Sequence, residues 1–220
     1  MATIREIARE AGVSIATVSN VFNNKGVVKP ETAALVLEVA DRLSYRPNLN
    51  ARSLKTGSSR TVGILTEDLT VFNTPEIVDG IASLCDSRSY HYLLENLRFN
   101  KRYTDSPYSH PESNLLVRSA IDDLLSKQVA GILYIGIHSH LVPSLRAHAQ
   151  VPFVCAYCTC EDPEVPGVIY DDRHAAFEAT RVLAERVSEK IGMITGPISS
   201  VHTVRRANGF LQALQSRNIP

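Results

Sequence analysis

Apolar positions recur at helical spacing in three short blocks at the start of the chain. Ile4, Ile7, Ala8 and Ala11 share one face of a first helix. Thr3 stands in front of it as N-cap and Glu6 follows three residues later, the signature of a capping box. Gly12, able to take positive φ, ends that helix. Ser14 is placed to cap a second helix running through Val18 and Val21. Asn23, Asn24, Lys25 and Gly26 make a turn. Pro30 opens a third helix at its first position, where a missing N–H costs nothing, and Leu35, Val36, Val39, Ala40 and Leu43 give it an apolar face. Pro47 blocks its continuation. Asn48 to Lys55 can form one more short helix, with Ala51 and Leu54 on one side, before the Gly57-Ser58-Ser59 joint.

From Thr61 the pattern changes to β-rich runs alternating with amphipathic stretches. The runs are Val62–Leu65, Tyr90–Glu95, Gly131–Ile135, Pro152–Ala156, Val168–Tyr170 and Ile191–Thr195. The stretches are Glu76–Ser87, Glu112–Lys127, Arg173–Val187 and Val204–Ser216. Such alternation predicts a doubly wound parallel α/β sheet with helices on both faces. The polar segment from Arg98 to Pro111 reads as a long loop. The expected organisation is therefore a headpiece over residues 1–46, a hinge and linker over 47–60, and an α/β body over 61–220.

Charge sharpens this division. The chain of 220 residues is neutral overall, but residues 1–60 hold 9 Lys and Arg against 5 Asp and Glu, and the rest holds 14 against 18. A basic head on an acidic body suits a nucleic-acid-binding module joined to something else. With 44% apolar and 21% charged residues the composition is that of a globular protein. No apolar run reaches the ~20 residues that cross a bilayer, and the opening MATIREIARE has no signal-peptide core. The expected location is the cytoplasm, at the nucleoid. In that reducing compartment Cys85, Cys155, Cys158 and Cys160 are expected as free thiols.

The first two helices have the composition of a helix-turn-helix, whose second helix enters the major groove. Thr17, Ser19 and Asn20 can hydrogen-bond base edges or phosphates, and Ile15 and Ala16 can meet thymine methyls. The run Thr3-Ile4-Arg5-Glu6-Ile7-Ala8-Arg9-Glu10-Ala11-Gly12-Val13-Ser14-Ile15-Ala16-Thr17-Val18-Ser19-Asn20-Val21-Phe22-Asn23 resembles the headpiece of the LacI family of bacterial repressors. The run Tyr45-Arg46-Pro47-Asn48-Leu49-Asn50-Ala51-Arg52-Ser53-Leu54 resembles that family's hinge helix.

The resemblance implies roles. Ile15, Ala16 and Asn20 would set specificity, with Thr17, Ser19, Asn23 and Thr32 in support, and Thr3, Ile4, Ser14, Tyr45 and Asn48 would lie against the DNA. Ala51 and Leu54 would enter the minor groove, Leu54 as a wedge at the operator centre. Lys29 departs from the family, which often has a capping Ser or Thr there. The body would be a periplasmic-binding-protein-like sensor of two lobes. Its implied partners are a palindromic double-stranded operator, a second copy of the chain, and a small effector such as a sugar or sugar phosphate. A family member usually continues for roughly another hundred residues, so the second lobe is expected to be incomplete.

Ligands of open α/β sheets bind at the C-terminal ends of strands. The loop Thr66–Pro75 there holds Glu67, Asp68, Phe72 and Asn73, polar groups beside an aromatic ring. Asp68 and Phe72 are effector candidates, and Arg206 falls on the family's effector-contacting arginine. Tyr157 lies near a position where the family has a polar effector contact, and Asp171 near the family's sheet-end aspartate. The cluster Cys155-Ala156-Tyr157-Cys158-Thr159-Cys160 has no second Cys or His pair nearby in sequence to complete a zinc site; the isolated His138, His140 and His148 could contribute, but their spacing does not demand it. Neither G-x-G-x-x-G nor G-x-x-x-x-G-K-[ST] occurs, and no nucleophile–base pair is visible, so no enzyme, cofactor or metal is expected. A plain carbohydrate-binding protein is the remaining alternative, opposed by the basic headpiece.

Overall fold

The computed structural model describes residues 2–23, 26, 28–46, 59–71, 73–143, 149–186 and 190–219. By its internal contacts the chain forms two compact units, Met1–Ser58 and Ser59–Pro220. The hinge segment, with Asn48, Ala51 and Leu54, and the loop residue Phe72 lie outside the described residues.

In the first unit α1 spans Ile4–Glu10, α2 Ile15–Phe22 and α3 Pro30–Arg42. Each boundary has a local cause. The capping box is complete: the Glu6 N–H donates to Thr3 Oγ1 at 3.3 Å, and the Thr3 N–H donates to Glu6 Oε2 at 2.7 Å. Gly12 takes φ +64 at the turn, the left-handed conformation that costs glycine least. The Thr17 N–H donates to Ser14 Oγ at 3.0 Å and so caps α2. Lys29, the N-cap of α3, makes no side-chain cap, and Pro30 follows it. The three helices close on Ile7, Ala8, Ala11, Val18, Val36, Val39 and Ala40, all buried. An ion pair joins Arg42 to Glu10 at 2.7 Å.

The second unit is built on one parallel sheet. Its strands are β1 (Thr61–Thr66), β2 (His91–Asn96), β3 (Ile132–Ile135), β5 (Phe153–Ala156) and β7 (Gly167–Val168), in the order β2-β1-β3-β5-β7. Two further strands, β4 (Leu141–Val142) and β6 (Thr159–Cys160), pair in parallel beside it. Around these lie α4 (Thr74–Ser87), α5 (Phe99–Arg102), α6 (Pro111–Ser126), α7 (Asp172–Ala184) and α8 (Val201–Ser216). Strand alternation divides the burial. Leu65, Ile132, Tyr134, Phe153 and Cys155 share one core with Val117, Ala120, Ile121 and Leu124 of α6. Ile64 and Ile135, at the alternate positions, are equally buried. Gly63 lets α6 come close, since a Cβ there would stand 2.9 Å from Leu124 Cδ1.

Two expectations need correction. Residues 191–195 form no strand, and Ile194 is fully exposed. A β-rich composition states a preference, whereas a ladder requires a neighbouring strand, and among the described residues none lies beside this segment. The stretch from Arg98 to Pro111 is not all loop. It holds α5 and a 3₁₀ turn at Pro107–Ser109. Phe99 plugs the core there, and Pro107 sets the turn's first φ.

Candidate DNA-binding face and effector crevice

On the headpiece, packing separates one face of α2 from the other. Val18 is buried, whereas Ile15 and Ala16 are exposed and Thr17, Ser19 and Asn20 are half-buried. An exposed isoleucine at the start of a capped helix is apolar surface that the fold itself does not use. The Thr17 hydroxyl lies 2.9 Å from Ser14 Oγ, so both residues also order the helix start. Asn23 Nδ2 donates to the Ser19 carbonyl at 2.6 Å and closes the helix end. Thr3 is exposed, Ile4 is half-buried against the core, and Thr32 is half-buried in the first turn of α3. Tyr45 packs on Phe22 with ring centroids 5.4 Å apart, which ties the chain leaving α3 to the helix-turn-helix.

In the second unit, β1 has β2 on one side and β3 on the other, so the strand order reverses between β1 and β3. That switch point is where a crevice opens beyond the C-terminal strand ends. Glu67, the first residue past β1, is fully buried there. Its Oε1 accepts from the Tyr134 hydroxyl at 2.6 Å and stands 3.1 Å from His140 Nε2. Its Oε2 accepts from the Tyr108 hydroxyl at 2.7 Å and the Ile137 N–H at 2.8 Å. Burial works against charge on Glu67, but His140 and the two phenols outweigh it and hold the carboxyl below its ordinary value. Burial also works against charge on His140, and Glu67 outweighs it, raising the imidazole's pKa. Tyr108, His138 and His140 cluster as three rings, with the Tyr108 centroid 5.4 Å from His138 and 4.2 Å from His140.

Asp68 is buried and fully engaged. Its Oδ1 accepts from the Thr70 N–H at 2.8 Å, and its Oδ2 accepts from the Asn100 N–H at 2.8 Å. Burial pushes this carboxyl up, and those hydrogen bonds more than offset it. In this arrangement it braces the loop.

Across the crevice, Arg206 donates from Nε to Asp172 Oδ1 at 2.7 Å, and the rest of its guanidinium is exposed. Asp172 Oδ2 is bonded by His202 Nδ1. Burial opposes the charge of Asp172, while His202 and Arg206 prevail and lower its pKa. Tyr157, in the left-handed region at φ +59, presents its ring to His202 at 5.6 Å and to Tyr170 at 5.1 Å. Asp171 is spent as the N-cap of α7, accepting from the His174 N–H at 3.0 Å. An open pocket of about 540 Å³ follows, lined by Tyr170, Asp171, Asp172, Arg173, Arg205 and Asn208.

The structure thus brings Arg206 and Tyr157 to one site, joined through His202 and Asp172, while Asp68 is held apart by Thr70 and Asn100. Asp172, His202, Tyr108, Tyr134 and His140 were not singled out from sequence as site residues. Their partners lie 30 to 73 positions away along the chain, so no local pattern marks them. Cys155, Cys158 and Cys85 are buried free thiols, and Cys160 is partly exposed. The hydrogen bond to Cys155 and burial push the Cys158 thiol up, which suits a packing group rather than a ligand. Among the described residues no group of three or more His, Cys, Asp or Glu is placed to hold a metal ion.

Residues 3–48 match bacterial regulatory proteins of the lacI family, and residues 109–218 match the periplasmic binding proteins and sugar binding domain of LacI family. The chain belongs to the LacI family. Catabolite control protein A of Priestia megaterium is 32% identical over 221 residues, covering 99% of this chain and 62% of that protein. The HTH-type transcriptional repressor PurR of Vibrio atlanticus is 33% identical over 221 residues, covering 100% and 62%. This LacI-family chain therefore spans less than two thirds of the length of these relatives. Its fold matches a crystal structure of the lac repressor dimer bound to operator and the anti-inducer ONPF, with a TM-score of 0.69 at 22% identity, over 100% of this chain and 63% of that one. A second structure, the lac repressor bound to ONPG in the repressed state, gives a TM-score of 0.70 at 22% identity. No helix among the described residues is long and apolar enough to cross a membrane.

Proposed function

We propose that this LacI-family chain acts as a sequence-specific DNA-binding repressor of carbohydrate-use genes, controlled by a small sugar or sugar-phosphate effector. The observation that carries the reading is the exposed face of α2, with Ile15 and Ala16 open to solvent on a helix fixed by the Ser14 cap and the headpiece core. Such a helix reads the major groove, with apolar contact to thymine methyls and with Thr17, Ser19 and Asn20 as hydrogen-bonding groups. Two headpieces of a homodimer take the two half-sites of a palindrome. Ala51 and Leu54 act in the minor groove between them.

The effector belongs in the crevice. Arg206 presents exposed guanidinium N–H groups in a fixed fork, suited to sugar hydroxyls or a phosphate, and Tyr157, Phe72 and Asp68 are the further proposed contacts. Binding there changes lobe closure and so the operator affinity, and the coupling is reciprocal. The chemistry is recognition and needs no catalytic group. The names of the relatives, a transcriptional repressor among them, support this reading.

The test is selection of duplexes from a randomised DNA library by the purified chain at moderate salt. A palindromic consensus is expected, and Leu54→Ala is expected to weaken binding to that consensus more than to random DNA. Absence of any enriched sequence would overturn the regulator reading, and equal losses on both DNAs would overturn the wedge.

A further inference from the structure

His202 is the second residue of α8, yet it touches three other parts of the body. Its Nδ1 bonds Asp172 of α7, its ring stacks on Tyr157 after β5, and its Nε2 accepts the Ser139 N–H at 3.3 Å from the segment after β3. The chemistry of the partners sets the tautomer. A carboxylate kept ionised only accepts, so Nδ1 carries the proton, and a backbone N–H only donates, so Nε2 offers its lone pair.

We propose that His202 is the positioning residue of the crevice: as the Nδ1–H tautomer it holds Asp172 against Arg206 and clasps Ser139, and a second proton releases Ser139. Proton uptake turns Nε2 into a donor that faces another donor, and the clasp is lost while the bond to Asp172 remains. The surrounding charges divide. Asp172 is the carboxylate against the His202 ring. Arg206 takes the other oxygen of Asp172, Arg205 reaches Ser139 Oγ at 3.5 Å, and His138 belongs to the same segment as Ser139. Tyr157 and Tyr170 contribute uncharged rings.

The far end of the segment responds in the opposite sense. Residues 137–140 are gripped beyond the C-terminal end of β1 by Glu67, through the Ile137 N–H and His140. Acid favours protonated His140 and strengthens that grip. Acidification therefore frees Ser139 from α8 without melting the segment. What the clasp controls in the cell, the setting of Arg206 toward an effector, rests on the regulator reading above; the clasp itself does not.

Amide hydrogen exchange over residues 136–142 of the 220-residue chain, without DNA or effector, tests it at about pH 8 and about pH 5.5, the range in which imidazoles change charge. After correction for intrinsic exchange, protection of the Ser139 amide is expected to fall about fivefold to tenfold at the lower pH, the worth of one hydrogen bond. His202→Gln can accept from Ser139 and donate to Asp172 without titrating, and should keep the amide protected at both pH values. His202→Ala should lose protection at both. Unchanged protection in the native chain, or His202→Gln behaving as His202→Ala, overturns the proposal. Because no ligand is present, failure here leaves the regulator reading standing, and failure of the operator selection leaves the clasp standing.

Discussion

At the scale of single residues, Glu67 concentrates the electrostatics of the body. It is a fully buried carboxylate with four partners, and breaking such a pair from one side leaves the other partners unmet. Glu67→Gln is expected to cost about 3–5 kcal/mol, read from urea unfolding. Its pH profile has a definite sign. His140 has a raised pKa in the fold, so its contribution is complete below the imidazole's unfolded value and is lost as pH rises through the folded one. Glu67 has a lowered pKa, so its contribution is complete above the unfolded carboxyl value and is lost as pH falls through the folded one. The native chain should therefore lose stability on both sides of a window running from weakly acidic to neutral pH. Glu67→Gln should flatten the alkaline side; an unchanged alkaline slope would place that titration elsewhere.

At the scale of elements, local sequence explains the headpiece almost completely, because its helices are set by neighbours in the chain. Thr3 and Glu6 form their capping box, Gly12 takes its positive φ, and Lys29 leaves α3 uncapped by any side chain. Ser14→Ala should cost about 1 kcal/mol of headpiece stability, measurable by thermal unfolding of the helical signal, with no loss if the Thr17 N–H finds another acceptor. The body was legible only as an alternation. Residues 191–195 have a strand's composition but no strand beside them, and α5 is too short to show a period. Arg206 and Tyr157 are crevice candidates by resemblance to the family, and Asp68 by its place after the first strand. Their partners came from distant parts of the chain. Gly209 is another such case. A Cβ there would stand 2.0 Å from the Arg173 carbonyl oxygen, so α7 and α8 approach through it. Gly209→Ala should destabilise the body by about 1–3 kcal/mol. Gly80→Ala in α4, where a Cβ meets nothing within 4 Å, should stabilise it by about 0.5–1 kcal/mol. Equal urea midpoints for the two variants would contradict the close approach.

At the scale of the whole molecule, the proposed DNA-reading helix and the proposed effector crevice lie in separate compact units. The first unit has an exposed apolar start to α2, and the second has buried carboxylates, Glu67 and Asp172, that hold His140 and Arg206. The segment after α7 has a different consequence, one of colloidal behaviour. Ile194 stands 102% exposed in a stretch, residues 191–195, that does not form a strand though its composition favours one, and Ile198 just beyond it is 86% exposed. Unpaired backbone bearing β-branched side chains is a template for chains to join edge to edge. Solutions of this chain should therefore show light scattering that grows with concentration, and Ile194→Lys should suppress it by placing a charge in the segment. Scattering that Ile194→Lys leaves unaltered would mean that the chains associate through another surface.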